Sequence, residues 1–310
     1  MITMSGKERA GFMITESVRL SNPWITTEVS AVRGAMLTEV LHRPSGLNWL
    51  RRAPNHHTLI QSPFVYGMPP LCPPGRVARG RFTLDHHEFS WPTNDHAGPN
   101  TLHGFGWDRP WTITRQEEEH VQLALHDQKA ADLFGAPFLL EIGYALNHST
   151  LRITAQLTNE ADFAIPAALG FHTDIDLNTT DYLVQLPSLE PWELNKTLIP
   201  TGRRLAAVPS HTVRARTIHE DQPYSIINTS NEIVLTMIDG PCRIHMKGDE
   251  SFRQLVIYRP SLDADFFAIE PYTWVPNAPN LPLPDSLTGL MALPPGSTQR
   301  WNYEVRFEML

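Results

Sequence analysis

The chain has 310 residues, with 33 acidic against 25 basic side chains and a formal charge of −8. That balance repels phosphate backbones, and no basic run with interleaved aromatics offsets it, so nucleic acid is not expected as a partner. No stretch of about 18 uninterrupted apolar residues exists to span a bilayer, so no membrane partner is expected either.

The opening dozen residues are polar and mixed, and are expected to be poorly ordered, with Met13 a candidate native start. Lys7, Glu8, Arg9, Glu16 and Arg19 stand where a secretory signal needs an apolar run, so the cytoplasm is the expected location. Residues 13–310 show no repeat of fixed period and no low-complexity segment, and are expected to form one domain. An apolar fraction of 41% suffices for its core. The 27 prolines run from Pro23 to Pro295, and each removes a backbone donor from a strand or helix, so long helices should be scarce.

The clusters Pro69 to Pro74 and Pro276 to Pro284 read as loops. Between them, Val121 to Leu125, Leu139 to Leu146, Leu151 to Leu157, Ile233 to Ile238 and Leu255 to Tyr258 have the alternation or the β-branched and aromatic enrichment of strands; Tyr303 to Phe307 adds another. Leu139 to Asn159 reads as a hairpin turning at Asn147-His148-Ser149, and Gln128 to Leu133 as a helix of a turn or two. The sum is an antiparallel all-β domain, a sandwich or a jelly roll. Cys72 and Cys242 lie far apart without a Cys-x-x-Cys pair, so both are expected to be reduced and no thiolate zinc site is read.

Three segments bear chemistry. Asn100-Thr101-Leu102-His103-Gly104-Phe105 sets a histidine beside a glycine, which lets it approach a ligand closely. Alone, it fits a histidine capping a turn at least as well. Gly170-Phe171-His172-Thr173-Asp174-Ile175-Asp176 follows, where Asp174 or Asp176 could hold the histidine protonated near neutral pH; an exposed strand end is the competing account. In the segment from Phe266 to Ala278, Glu270 ends a continuous apolar run, at a solvated strand end or in a prepared site.

In this order, the three segments resemble the aldose 1-epimerase family, which carries Asn-x-Leu-His-Gly, then Gly-x-His, then Glu-Pro-x-Thr. Pro73-Pro74-Gly75-Arg76-Val77 is similar to the family's segment ending in Asn-Arg-Ile. Similarity in strand pattern runs from about Val29 to Phe307. The resemblance implies a galactose mutarotase-like β-supersandwich of antiparallel sheets with few short helices. It also implies an isomerase that interconverts the α and β anomers of an aldose without metal or organic cofactor.

On that resemblance Glu270 is the general base, His172 the general acid, and His103 and Arg76 their sugar-contacting partners. Asn100, Asp174 and Trp274 complete the expected substrate contacts. The expected partner is a small-molecule aldose or sugar phosphate, and the protein itself a monomer or homodimer.

This chain departs from the family at Gly75, where asparagine is usual, and at Thr173-Asp174-Ile175, which replaces Pro-aromatic-Phe. Val256 stands where many members have a sugar-binding glutamine, and no residue is assigned to the family's binding aspartate. Three other readings remain. A catalytically inactive carbohydrate-binding or regulatory protein shares the fold. A metal-dependent cupin-like enzyme is suggested by 14 histidines and the pairs His56-His57 and His86-His87, though adjacent strand residues face opposite ways. A glycan-cleaving enzyme needs two carboxylates, and only Glu270 is nominated.

Overall fold

The structure is a computed structural model and describes residues 17–310, so the expectations for the first dozen residues and Met13 lie outside the described residues. Antiparallel strands dominate. The largest sheet has nine strands in the order Thr112–Gln116, His120–Leu125, Phe138–Asn147, Thr150–Asn159, Thr298–Met309, Cys242–Gly248, Ile233–Met237, Tyr182–Leu186 and His211–Arg214. Every strand read from the sequence is present. The expected hairpin pairs Phe138 through Asn147 with Asn159 back to Thr150, and turns at His148 with φ 51°. Along Thr150–Asn159 buried residues alternate with more exposed ones, because a half-buried strand sends successive side chains to opposite faces.

The second sheet, of eight strands, carries the site. Its sequence of neighbours includes Leu189–Leu194, Asp221–Ile226, Gln254–Tyr258, Phe266–Tyr272 and Gly170–Phe171, with Thr173–Asp176 also paired to Phe266–Tyr272. All seven residues of Phe266–Tyr272 are buried, which explains why its first four residues read as an apolar run rather than an alternation. A third sheet, of four strands from Ser17–Ser21 to Leu47–Asn48, packs on the first two. One contact between layers is the stack of His42 on Phe307, with ring centroids 5.1 Å apart. Trp49, Trp192, Trp274 and Trp301 are fully buried in the resulting core.

Helices are few and short, and no helix among the described residues is long and apolar enough to cross a membrane. The helix expected at Gln128 to Leu133 spans Gln128–Phe134, capped by the Asp127 side chain and ended by Gly135. Part of the first proline cluster is not loop: Pro70–Leu71 forms a short strand against Gly170 and Phe171. Proline is tolerated there because the strand lies at the edge of its sheet. Cys72 and Cys242 are free and buried.

Register decides which side chains meet. Pro223 lies opposite Val256 and Val256 opposite Glu270, while Asp221 lies opposite Tyr258, Tyr258 opposite Ala268, and Ala268 opposite Asp174. Direct partners across a ladder share a face, as do residues two apart along a strand. Asp221, Pro223, Val256, Tyr258, Glu270 and Tyr272 therefore project from one face, although 51 residues separate the first from the last.

Candidate active site

That face floors a cleft of about 210 Å³ whose polar lining is Arg76, His103, His172, Asp221, Tyr258, Glu270 and Tyr272. A cleft of similar size, about 240 Å³, opens on the four-stranded sheet, but among the described residues its charged lining is Glu28, Glu39 and Arg52. Those described residues include no histidine to move a proton near neutral pH.

At the centre of the first cleft, the His172 imidazole bridges two carboxylates. Its Nδ1 lies 3.1 Å from Asp174 Oδ1 and its Nε2 lies 3.3 Å from Glu270 Oε1, with all three side chains at most 5% exposed. Neither contact has the alignment of a full hydrogen bond, so the attraction is chiefly electrostatic. Burial by itself would lower the His172 pKa, but Glu270 and Asp174 outweigh it and raise the value to about 9. The imidazole is therefore a cation at neutral pH.

Burial works the other way on Glu270. Loss of hydration raises its pKa, the His172 charge and a hydrogen bond from the Tyr272 hydroxyl oppose that rise, and the result is about 7. An acid that keeps its proton and a base that has shed its own thus coexist between these values.

His103 is held at φ 61°, followed by Gly104 at φ 60°. A Cβ on Gly104 would lie 2.3 Å from the Cys72 carbonyl oxygen, so only glycine lets this loop close. The Gly75 backbone N–H donates to His103 Nδ1 at 3.3 Å, which leaves the ring proton on Nε2. Burial, followed by the charges of His172 and Arg76, holds the His103 pKa well below its ordinary value, so the ring is neutral. Phe64 covers it with ring centroids 4.5 Å apart. Arg76 lies 3.1 Å from Asp95 and 3.3 Å from Asp221, so its charge is already matched.

Three of the expected substrate contacts do not reach the cleft. The Asn100 side chain donates instead to Asp95 at 2.9 Å and to the Thr197 carbonyl at 3.2 Å, bracing the carboxylate that holds Arg76. Trp274 is fully buried and donates through Nε1 to the Pro74 carbonyl at 2.7 Å, because a buried indole needs a partner for its N–H. Asp174 is completely buried behind His172; Asp176, the other candidate, bonds Asn178 and Thr179 instead. Trp192 also belongs to the core, and Trp107 packs on Phe64.

Asp174→Asn is expected to lower the His172 pKa by about 1 unit or more, since removing an opposite charge at this range has that size of effect. Imidazole NMR titration would measure it, and an unmoved value would show that the two groups are not coupled.

The profile of the aldose 1-epimerase family matches residues 16–306. The chain belongs to the aldose 1-epimerase family. A galactose mutarotase-like protein from Clostridium acetobutylicum superposes with a TM-score of 0.87 at 20% identity, covering 95% of each chain. Galactose 1-epimerase from Lactobacillus acidophilus NCFM gives 0.73 at 16% identity over 94% of each. An uncharacterised protein of Escherichia coli K12, YihR, is 25% identical over 217 residues, 67% of this chain and 69% of that protein. The solved structures establish the galactose mutarotase-like fold, and the family is one of epimerase-type isomerases.

Within this family member, sequence reading did not find Asp221, Tyr258, Tyr272 or Phe64 as lining residues. Tyr272 stood inside a segment already singled out, two residues after Glu270 on a strand, and that spacing was a usable signal. Val256 does line the cleft, directly across the ladder from Glu270. Of the histidine pairs, His86 sits in a turn at φ 68° and His87 stacks on Phe163. Among the described residues, His103, His172 and Glu270 offer ligand-capable atoms within 4.8 Å of one another. A cation there would have to displace the proton that Glu270 and Asp174 hold on His172.

Proposed function

We propose that the protein is an aldose 1-epimerase, a mutarotase that opens and recloses the pyranose ring of an aldose. The observation that carries this reading is the His172 Nε2 to Glu270 Oε1 approach of 3.3 Å, an imidazolium facing a carboxylate across one small cleft. The anomeric hydroxyl oxygen O1 and the ring oxygen O5 are bonded to the same carbon. An acid and a base that must serve both at once therefore have to be near neighbours.

Glu270 takes the proton from the O1 hydroxyl as His172 gives one to O5, and the C1–O5 bond breaks to leave an aldehyde and a C5 hydroxyl. Rotation about C1–C2 presents the other face of the carbonyl. Reclosure reverses both transfers, so each residue ends in its starting state and no co-reactant is consumed. His103 donates through Nε2–H, and Arg76 and Asp221 bind ring hydroxyls.

The substrate class follows from charge. Among the described residues lining the cleft, Arg76 is the one guanidinium, and Asp95 and Asp221 already neutralise it. This favours an uncharged aldose over a sugar phosphate. A glycan-cleaving reading needs a second free carboxylate, and Asp221 is committed to Arg76.

Polarimetry on freshly dissolved α-glucose, α-galactose and a hexose 6-phosphate tests the reading. Faster mutarotation of at least one neutral aldose, without effect on the phosphate, is the expected result. No acceleration on any of them, with sugar binding still seen by calorimetry, would make this a carbohydrate-binding protein.

A further inference from the structure

We propose that Tyr272 is a positioning residue of the epimerase reaction, its phenol fixing which oxygen of Glu270 acts as the base. The proposal rests on the epimerase reading above. Glu270 and Tyr272 are two residues apart on one strand, so their side chains rise from the same face, and both line the cleft. The Tyr272 hydroxyl donates to Glu270 Oε2, while Oε1 faces His172 Nε2 at 3.3 Å. The two oxygens of one carboxylate therefore have different tasks: Oε2 is anchored, and Oε1 is left for the proton in transit.

The fold makes room for this arrangement. Gly170 lies directly across the ladder from Tyr272, and a Cβ there would sit 2.4 Å from Tyr272 Cδ1 and 2.7 Å from Pro74 Cβ. Any side chain at position 170 would push the phenol ring from its place. The ring is 1% exposed, so it holds Glu270 without the freedom of a surface side chain.

The charged and titratable groups around Glu270 come from several elements. His172 and Asp174 belong to the adjoining segment, Tyr258 to the strand paired with Phe266–Tyr272, Asp221 to the next strand beyond it, Arg76 to the short strand Arg76–Ala78 and His103 to the loop after Leu102. Among the described residues, Tyr272 alone donates a side-chain hydrogen bond to the Glu270 carboxylate. Burial and the adjacent carboxylate push the phenol's own pKa well up, so it stays a donor throughout the working range. A bond donated to the ionised form favours that form, so losing it makes Glu270 harder to deprotonate.

Tyr272→Phe keeps the ring and removes the donor. The expected result is a kcat lower by about tenfold, a KM within about twofold of wild type, and an acidic limb of the kcat profile displaced upward by about 1 unit. A ring that merely fills space would leave that limb where it is. Should the variant fail to fold, 3-fluorotyrosine placed at position 272 preserves the shape with a more acidic phenol, and the acidic limb should then move to lower pH. Wild-type turnover with an unmoved limb in either altered protein would overturn the proposal. A wild-type protein inactive on every aldose would remove the reaction itself, and this role for Tyr272 with it.

Discussion

Glu270→Gln is expected to lower kcat by about 10²- to 10⁴-fold while leaving sugar binding within a few-fold of wild type, as befits the loss of one positioned base. The amide keeps the size of the carboxylate, and its oxygen still accepts from the Tyr272 hydroxyl. What disappears is the lone pair that receives the O1 proton. A second loss follows, because the carboxylate is also the leading influence that raises the His172 pKa against burial. Turnover by polarimetry and affinity by calorimetry separate the two quantities, and unchanged turnover would sink the base assignment.

Replacement of His172 by alanine should cost a similar factor, and its pH profile distinguishes the roles of the pair. In the wild type, activity needs Glu270 ionised and His172 protonated. It should rise as pH passes about 7 and fall as pH passes about 9. These limbs describe the pair rather than either residue alone. Without the imidazole the alkaline limb should vanish. The acidic limb should move upward, because the His172 charge no longer helps Glu270 to ionise. A variant that keeps the alkaline limb would assign that limb to another group and remove His172 from the acid's role.

The fold was legible because strand patterning is local. Alternation along Leu151 to Leu157, turn residues at His148 and scattered prolines each report on a few neighbouring residues, and each matches the structure. The site was legible where its residues sit in short segments, as His103 beside Gly104 and His172 two before Asp174 do. What sequence reading missed depends on register. Asp221 reaches the cleft only because Asp221–Ile226 pairs with Gln254–Tyr258, and nothing near Asp221 announces that partner. The same limit explains the misplaced contacts. Asn100 and Trp274 lie in the right segments, but their side chains turn behind the lining and support it, while Asp174, on the same sheet face as Glu270, is buried against His172. Position along a motif tells which loop is near the substrate, whereas the direction of each side chain is set by the pleat and by the hydrogen bonds that buried polar groups require.

The complete burial of Phe266–Tyr272 bears on how this enzyme could acquire new specificity. Any exchange along that strand disturbs the core on one side or the reacting groups on the other, and substitutions in packed cores commonly cost about 2–5 kcal/mol of a small total stability. The rim is under no such constraint: Phe64, Leu102 and Leu198 line the cleft from loops or a short strand and are only partly buried. Divergence among descendants, or a laboratory library seeking another sugar, should therefore accumulate its changes at the rim and leave the strand beneath it untouched.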